Sequence, residues 1–326
     1  MTTAPQAVSE SVLRAALADT IDATDFDALG AKYEGKVRDN YTTGDGRRFI
    51  VVTDRISAFD RVLGTLPFKG QVLNRMARWW FERTKDLAPN HLLSTPDPNV
   101  MEVVECSPLA VEMIVRAYLT GVTSTSVWTH YKNGARMFCG HSLPEGLRHN
   151  QKLPAPILTP STKAERGGHD VSASRDEILA LGAVSAADFD EAASLAMRLF
   201  AFGQALCADR GLILVDTKYE FGKTPDGRIV LIDEIHTPDS SRYWYADSYS
   251  DRFEKGEAPQ SFDKEYVRRW LAEQGFLGDG PIPSIPDDVR VEAARRYIEI
   301  FGVVTGEAFE PDTRPALERM RRNLGL

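Results

Sequence analysis

The chain has 326 residues, 43% of them hydrophobic and 26% charged, with a formal net charge of −8. This is the composition of a globular protein that can bury a sizeable core in one large or two modest domains. The acidic balance argues against general nucleic-acid binding, which needs a basic surface. Three widely spaced cysteines, Cys106, Cys139 and Cys207, form neither a disulfide framework nor a zinc spacing. The first residues lack the basic and apolar stretches of a secretory signal. No apolar run approaches membrane-spanning length, so a cytoplasmic protein with no membrane partner is expected.

In chain order, residues 1–30 read as an N-terminal extension with a short helix. From Tyr33 to Gly70 the pattern becomes β-like, with an apolar strand at 49–53 behind a turn at 43–46. The segment GKVRD at 35–39 reads as extended, so Lys36 and Arg38 face one way, and Gly35 lets a ligand approach the backbone. Two cations on one face suit a triphosphate, although the same alternation occurs on plain edge strands. DRISAFD at 54–60 is a polar cluster at a strand end. Residues 71–87 predict a helix, with Val72, Met76, Trp79 and Trp80 as its apolar stripe. Strands follow at 101–104 and 111–115, the second ending in Arg116. A small-residue turn and then Ser124, Thr125 and Ser126 come next. Such an arginine can fork onto a carboxylate or phosphate, or close a structural salt bridge.

Residues 134–170 are rich in Gly, Pro, Ser and His and are long for a connection inside a compact domain, which marks a functional or disordered loop. Within it, Lys163 suits a phosphate and Asp170 a ribose or amine. Residues 185–210 predict a helix buried on Phe189, Ala192, Ala196, Leu199, Gly203 and Leu206 and ended by Gly211. Two β-type runs, 211–221 and 228–235, then flank a Thr-Pro-Asp-Gly turn. Alternation puts Asp216, Lys218 and Glu220 on one face. A turn centred near Pro225 and Asp226 sets Lys218 opposite Asp233, which then joins that face. A slip of one residue brings Glu234 and His236 there instead. Converging carboxylates and a lysine suit a divalent cation and a phosphate, while polar alternation on an antiparallel strand also describes a solvated face. Beyond the hairpin, Arg242 behind Ser240 and Ser241 suits another anionic group. Helices are predicted at 262–274, 287–301 and 315–326, the last presenting Arg319, Arg321 and Arg322 as a solvated basic face.

Strands come first and then mixed elements, without regular βαβ alternation and without a Gly-rich or Walker-type phosphate loop. An α+β fold with largely antiparallel sheets is therefore expected, with any nucleotide bound between sheets.

Together, GKVRDNY, DRISAFD, VRAYLTG, TPSTKAE with GGHD, GLILVDTKYEFG and LIDEIHTPDSSRYW, in this order between residues 35 and 244, resemble the SAICAR synthetase (phosphoribosylaminoimidazole-succinocarboxamide synthase) family of purine biosynthesis. The resemblance implies a two-part α+β fold with ATP in a cleft, a magnesium requirement, and ligation of L-aspartate to a carboxylated aminoimidazole ribonucleotide (CAIR) through an acyl phosphate. It divides the chain into a β-rich ATP-binding part at 31–115 and a substrate and metal part at 116–326. Under it, Glu220 and Asp233 hold Mg2+ and ATP, and Lys36, Arg38 and Lys163 hold phosphates. Lys218, Arg116 and Asp216 are the catalytic candidates. Arg116, Ser124, Asp170, Lys218, Ser241 and Arg242 contact substrate. Val122 stands where the family commonly has a serine, so that serine's work passes to Ser124 or Ser126 or is lost. A small-molecule kinase and another ATP-dependent carboxylate–amine ligase are the alternatives on the same fold.

Overall fold

The computed structural model describes residues 8–59, 61–123, 125–163, 171–262 and 265–326. Its elements in chain order are α1 (Glu10–Ala15), β1 (Ala31–Glu34), β2 (Arg38–Thr42), β3 (Arg47–Val52), β4 (Arg55–Ala58), β5 (Arg61–Thr65), α2 (Lys69–Thr84), β6 (Leu92–Asp97), β7 (Val100–Val104) and β8 (Ser107–Tyr118). There follow α3 (Val127–Lys132), β9 (Met137–Phe138), β10 (His141–Ser142), β11 (Lys152–Leu158), β12 (Ser161–Thr162), α4 (Arg175–Ala180) and α5 (Ala186–Asp209). The chain closes with β13 (Leu212–Lys223), β14 (Ile229–Ile232), β15 (Ser241–Tyr245), α6 (Ala246–Glu254), α7 (Glu265–Glu273), α8 (Asp287–Thr305) and α9 (Ala316–Leu324).

Two antiparallel sheets organise these elements, as an α+β chain requires. One runs β1-β2-β3-β7-β6; the other runs β11-β8-β13-β14, with β12 added on β8 and β15 on β13. The sheets are stitched where His91 N donates to Leu231 O at 3.1 Å and Leu231 N to Pro89 O at 2.9 Å. Thus the start of β6 lies beside β14, and a cleft opens between the sheets.

Helix α5 illustrates why the second sheet is rigid. Ser185 caps its N-terminus by accepting from Asp188 N, and the chain leaves it through Gly211 at φ 72°. Its apolar stripe packs on β13 and β8, burying Phe189, Leu199 and Phe200 at about 1.5–3 kcal/mol each. Gly203 belongs to that stripe because a Cβ there would lie 2.5 Å from the His236 ring. On the core face of β13, Val215, Tyr219 and Phe221 are fully buried. The opposite face is left for Asp216, Lys218 and Glu220.

The structure corrects four expectations. Part of the 134–170 loop is ordered into β9 to β12, with β11 and β12 both paired to β8. GKVRD is not one extended segment: Lys36 lies in the turn between β1 and β2, closed by Gly35 N donating to Arg38 O. The hairpin register pairs Glu220 with Ile232 and Phe221 with Leu231, one residue away from the pairing of Lys218 with Asp233. Finally, Arg319 is no part of a solvated face. It is fully buried and bonded to both oxygens of Asp97 and to Asn99. Polar partners on β6 and the turn after it draw it in, which a helical charge pattern alone does not reveal.

Candidate active site

The site grows from the polar face of β13 and its two neighbours. Register sets Asp216 opposite Arg116, Lys218 opposite Ile114 and Glu220 opposite Glu112 across the β13/β8 ladder. On the other edge, Asp216 lies opposite Arg242. Side chains facing each other on one side of a sheet must interact, and here they are charged. Asp216 accepts from Arg116 at 3.3 Å and also from Arg242. Lys218 donates to Glu112 at 2.8 Å and to Glu220 at 2.5 Å. Lys163, just after β12, closes on the other oxygen of Glu220.

Asp233 reaches this face in spite of the register. Strand β14 stops at Ile232, and Asp233 adopts a left-handed φ of 68°, unusual for a residue with a Cβ. That twist frees the chain from strict alternation. Asp233 and its neighbour Glu234 then both bind one guanidinium: Arg38 Nη1 lies 2.7 Å from Asp233 and Nη2 2.7 Å from Glu234. The alternative register named His236 as well, but His236 turns into the core, beside Tyr219 and Trp80.

These residues line two adjoining cavities. The larger, about 510 Å3, lies between the sheets. Ile50, Val103, Val104, Cys106 and Ile232 are part of its apolar lining, and Lys36, Arg38, Arg48, Lys163, Glu220 and Asp233 form its charged lining. The smaller, about 160 Å3, is lined by Arg116, Asp216, Lys218, Asp239, Ser241, Arg242 and Arg268 among others. Lys218 faces the smaller cavity, and its ammonium bonds the Glu220 that lines the larger.

Electrostatics separate the groups. Burial favours neutral Lys218, but Glu220, Glu112 and Asp233 outweigh it and keep the ammonium charged. Burial raises Glu220, but Lys218 and Lys163 dominate and hold its carboxyl below the usual range. Asp233 goes the other way. Burial pushes its carboxyl up, Glu220 and Glu234 push further, and Arg38 only partly offsets them. Burial lowers the Arg116 guanidinium, and Asp216 partly restores it.

Among the described residues, no group of three or more His, Cys, Asp or Glu side chains makes a ready metal cage. Two mutually repelling carboxylates, Glu220 and Asp233, on one cleft nevertheless offer hard oxygen donors. Mg2+ is commonly held by one or two carboxylates together with substrate phosphates and water, so the residues present fit that ion.

The SAICAR synthetase family model matches residues 31–279. The chain belongs to the SAICAR synthetase family. It is 52% identical over 298 residues to a putative phosphoribosylaminoimidazole-succinocarboxamide synthase 2 of Mesorhizobium japonicum, covering 91% of this chain and 95% of that one. It is 49% identical over 288 residues to the phosphoribosylaminoimidazole-succinocarboxamide synthase of Legionella pneumophila strain Lens, covering 88% and 91%. Among solved structures, the SAICAR synthase from Saccharomyces cerevisiae complexed with SAICAR is 31% identical with a TM-score of 0.77, covering 90% of this chain and all of that one. The expected fold class and family therefore hold.

Of the residues singled out on sequence, Lys36, Arg38, Lys163, Glu220 and Asp233 line one cavity, and Arg116, Asp216, Lys218, Ser241 and Arg242 the other. Ser124 and Asp170 lie outside the described residues. Ser126 is buried as the cap of α3, its Oγ donating to Thr123 O. Asp216 sits between two arginines and bonds both, whereas Lys218 bonds Glu112 and Glu220. Several participants were not singled out. Glu112, bonded to Lys218, shares the strand face of Arg116, and period-two reading of that strand would find it. Thr159 accepts from Arg116 Nε at 2.8 Å, a contact no local pattern signals. His91, buried on the nucleotide-sized cleft, is held neutral by burial and by Arg48 and Arg38, its pKa lowered to about 3.

Proposed function

We propose that the chain joins L-aspartate to the carboxylate of CAIR with hydrolysis of ATP, giving SAICAR, ADP and phosphate, as a step of purine biosynthesis in the cytoplasm. One observation carries the site reading: Lys218 lines the smaller cavity and its ammonium is bonded to Glu220, which lines the cleft. ATP occupies the 510 Å3 cleft, its base against the apolar lining and its phosphates toward Lys36 and Lys163. CAIR occupies the 160 Å3 pocket, with Arg242 and Ser241 on its phosphate and Arg116 near its carboxylate.

A carboxylate is a poor acyl donor because its leaving group would be oxide. In the first step a carboxylate oxygen of CAIR attacks the γ-phosphorus, the bond to the bridging oxygen breaks, and ADP departs. In the second step the aspartate amine attacks the acyl carbon, phosphate leaves with the C–O electron pair, and the amine loses a proton. Lys218 and Arg116 stabilise negative charge as it builds on the transferring group. Arg38 acts behind the phosphates. Its guanidinium is engaged by Asp233 and Glu234, so it sets the position of those acids. Asp216 likewise holds Arg116 and Arg242 at a fixed separation. Glu220 and Asp233 would hold Mg2+, which would neutralise ATP phosphate charge when bound.

The division into a nucleotide part and a substrate part belongs to the same proposal. Strand β8 runs unbroken through positions 115 and 116, so both parts share it. ADP release measured with CAIR, with and without aspartate, tests the reading: release that depends on both is expected, and turnover indifferent to aspartate would make the chain a kinase.

A further inference from the structure

Asp239 lines the acceptor cavity, yet its carboxylate is anchored from behind. Its Oδ2 accepts from Lys69 Nζ at 2.8 Å and its Oδ1 from the Tyr297 hydroxyl at 2.6 Å. The Lys69 and Asp239 side chains are 0% and 2% exposed, and the ammonium also lies 5.5 Å from the centre of the Tyr297 ring. Lys69 is the first residue of α2, and Tyr297 lies midway along α8.

The turn they hold is compact. Thr237 O accepts from Ser240 N at 3.1 Å and from Ser241 N at 2.9 Å, and Ser240 O accepts from Lys218 N at 3.0 Å. Thr237 Oγ1 bonds Glu234. One short body therefore carries Asp233 and Glu234 toward the nucleotide cleft and Ser241 and Arg242 toward the acceptor pocket. Its backbone leaves the extended region at Asp233 and again at His236, with φ of 68° and 48°. Local strain of that kind persists only where surroundings over-determine the conformation. A buried carboxylate with two charge-strengthened bonds is such a constraint: it adds little net stability but selects one geometry.

We propose that Lys69 and Tyr297 are positioning residues for the acceptor pocket, acting through Asp239, and that α8 thereby gives the C-terminal segment a part in substrate binding. Helix α8 lies wholly beyond residues 31–279 that the family model matches. The inference rests on the reading of the 160 Å3 cavity as the CAIR pocket.

Tyr297→Phe removes one hydroxyl and leaves the buried charge pair intact. The expected result is a KM for CAIR raised about tenfold, a KM for ATP changed by less than about twofold and a Tm within about 3 °C of the parent. Asp239→Asn should move KM for CAIR the same way and further. If that variant folds poorly, Tyr297→Phe decides alone. An unchanged KM for CAIR in Tyr297→Phe overturns the proposal. So does a fall in maximal rate and Tm with every KM unchanged, which marks a merely structural bond. The parent protein is assayed alongside, and if it fails to turn over CAIR the pocket reading itself falls, whatever the variants do.

Discussion

Arg38 and Asp233 stand 195 residues apart in the chain and 2.7 Å apart in space. The first sheet thereby reaches over the cleft to hold the chain just where it has left the second. A guanidinium can hold Asp233 and Glu234 at once because its donors form a rigid fork; an ammonium is a point charge. Arg38→Lys should keep the charge and lose the fork. We expect kcat/KM for ATP to fall about tenfold with a lower Tm, since unpairing a buried acid is costly. Parental kinetics in this variant would show that charge alone suffices.

Lys218 should matter to chemistry more than to binding. Lys218→Met removes the ammonium between the two cavities while keeping much of the stem. Loss of a preorganised charge at a developing anion costs about 100- to 1,000-fold in kcat, with a much smaller change in KM for ATP. A variant that loses ATP affinity but retains kcat would place Lys218 outside the transferring group's surroundings.

Asp233 makes a pH prediction. Its folded carboxyl titrates above its ordinary range. The stability it contributes is therefore complete below the unfolded value of about 4 and is lost as pH rises through the folded value. In metal-free protein, Asp233→Asn should flatten the decline of Tm between about pH 4 and about pH 7, around the folded value of about 6. Because proton and cation compete for one carboxylate, Mg2+ with ATP should raise the parent's Tm more at the alkaline end. Superimposable melting curves for parent and variant would contradict both statements.

Gly121 leaves no room for a side chain. Its φ is 100°, and a Cβ there would lie 2.5 Å from Ser126 Cβ and 3.7 Å from Arg242 Nη2. Gly121→Ala must shift the cap of α3, beside which Arg242 lies in ordinary contact. A destabilisation of about 1–3 kcal/mol, read by urea unfolding, should accompany a higher KM for CAIR. A neutral result would mean the turn can relax without disturbing Arg242.

Arg319 gives a control remote from the chemistry. Arg319→Met strands Asp97 in the interior and should cost about 3–5 kcal/mol in chemical unfolding. The rate per folded molecule should stay at the parental value.

Much of the active face was legible because it depends on alternation. Asp216, Lys218 and Glu220 share a face by the geometry of any strand, and they do so here. Asp233 was placed on that face by a register that is off by one residue, yet it arrives there through a left-handed kink that polarity patterns do not encode. Lys36 was read from an extended segment and sits in a turn, but turn and strand both deliver it to the cleft. What stayed hidden was long-range. Thr159 and the partners of Arg319 become neighbours only when separate strands pair or a terminal helix docks, and nothing in their local sequence marks the contact. The interior of the 134–170 loop was unreadable for a related reason: β11 and β12 are strands because β8 offers them an edge.

That edge arrangement has one more consequence. Along its second side, β13 is paired with β15 up to Thr217 and with β14 from Glu220 onward. The ladder changes partner at Lys218 and Tyr219, and the compact turn between β14 and β15 spans the gap, its Ser240 O accepting from Lys218 N at 3.0 Å. The backbone of the lysine is thus gripped by the same turn that carries Asp233 and Glu234 on one side and Ser241 and Arg242 on the other, so the three sets of groups keep one spacing.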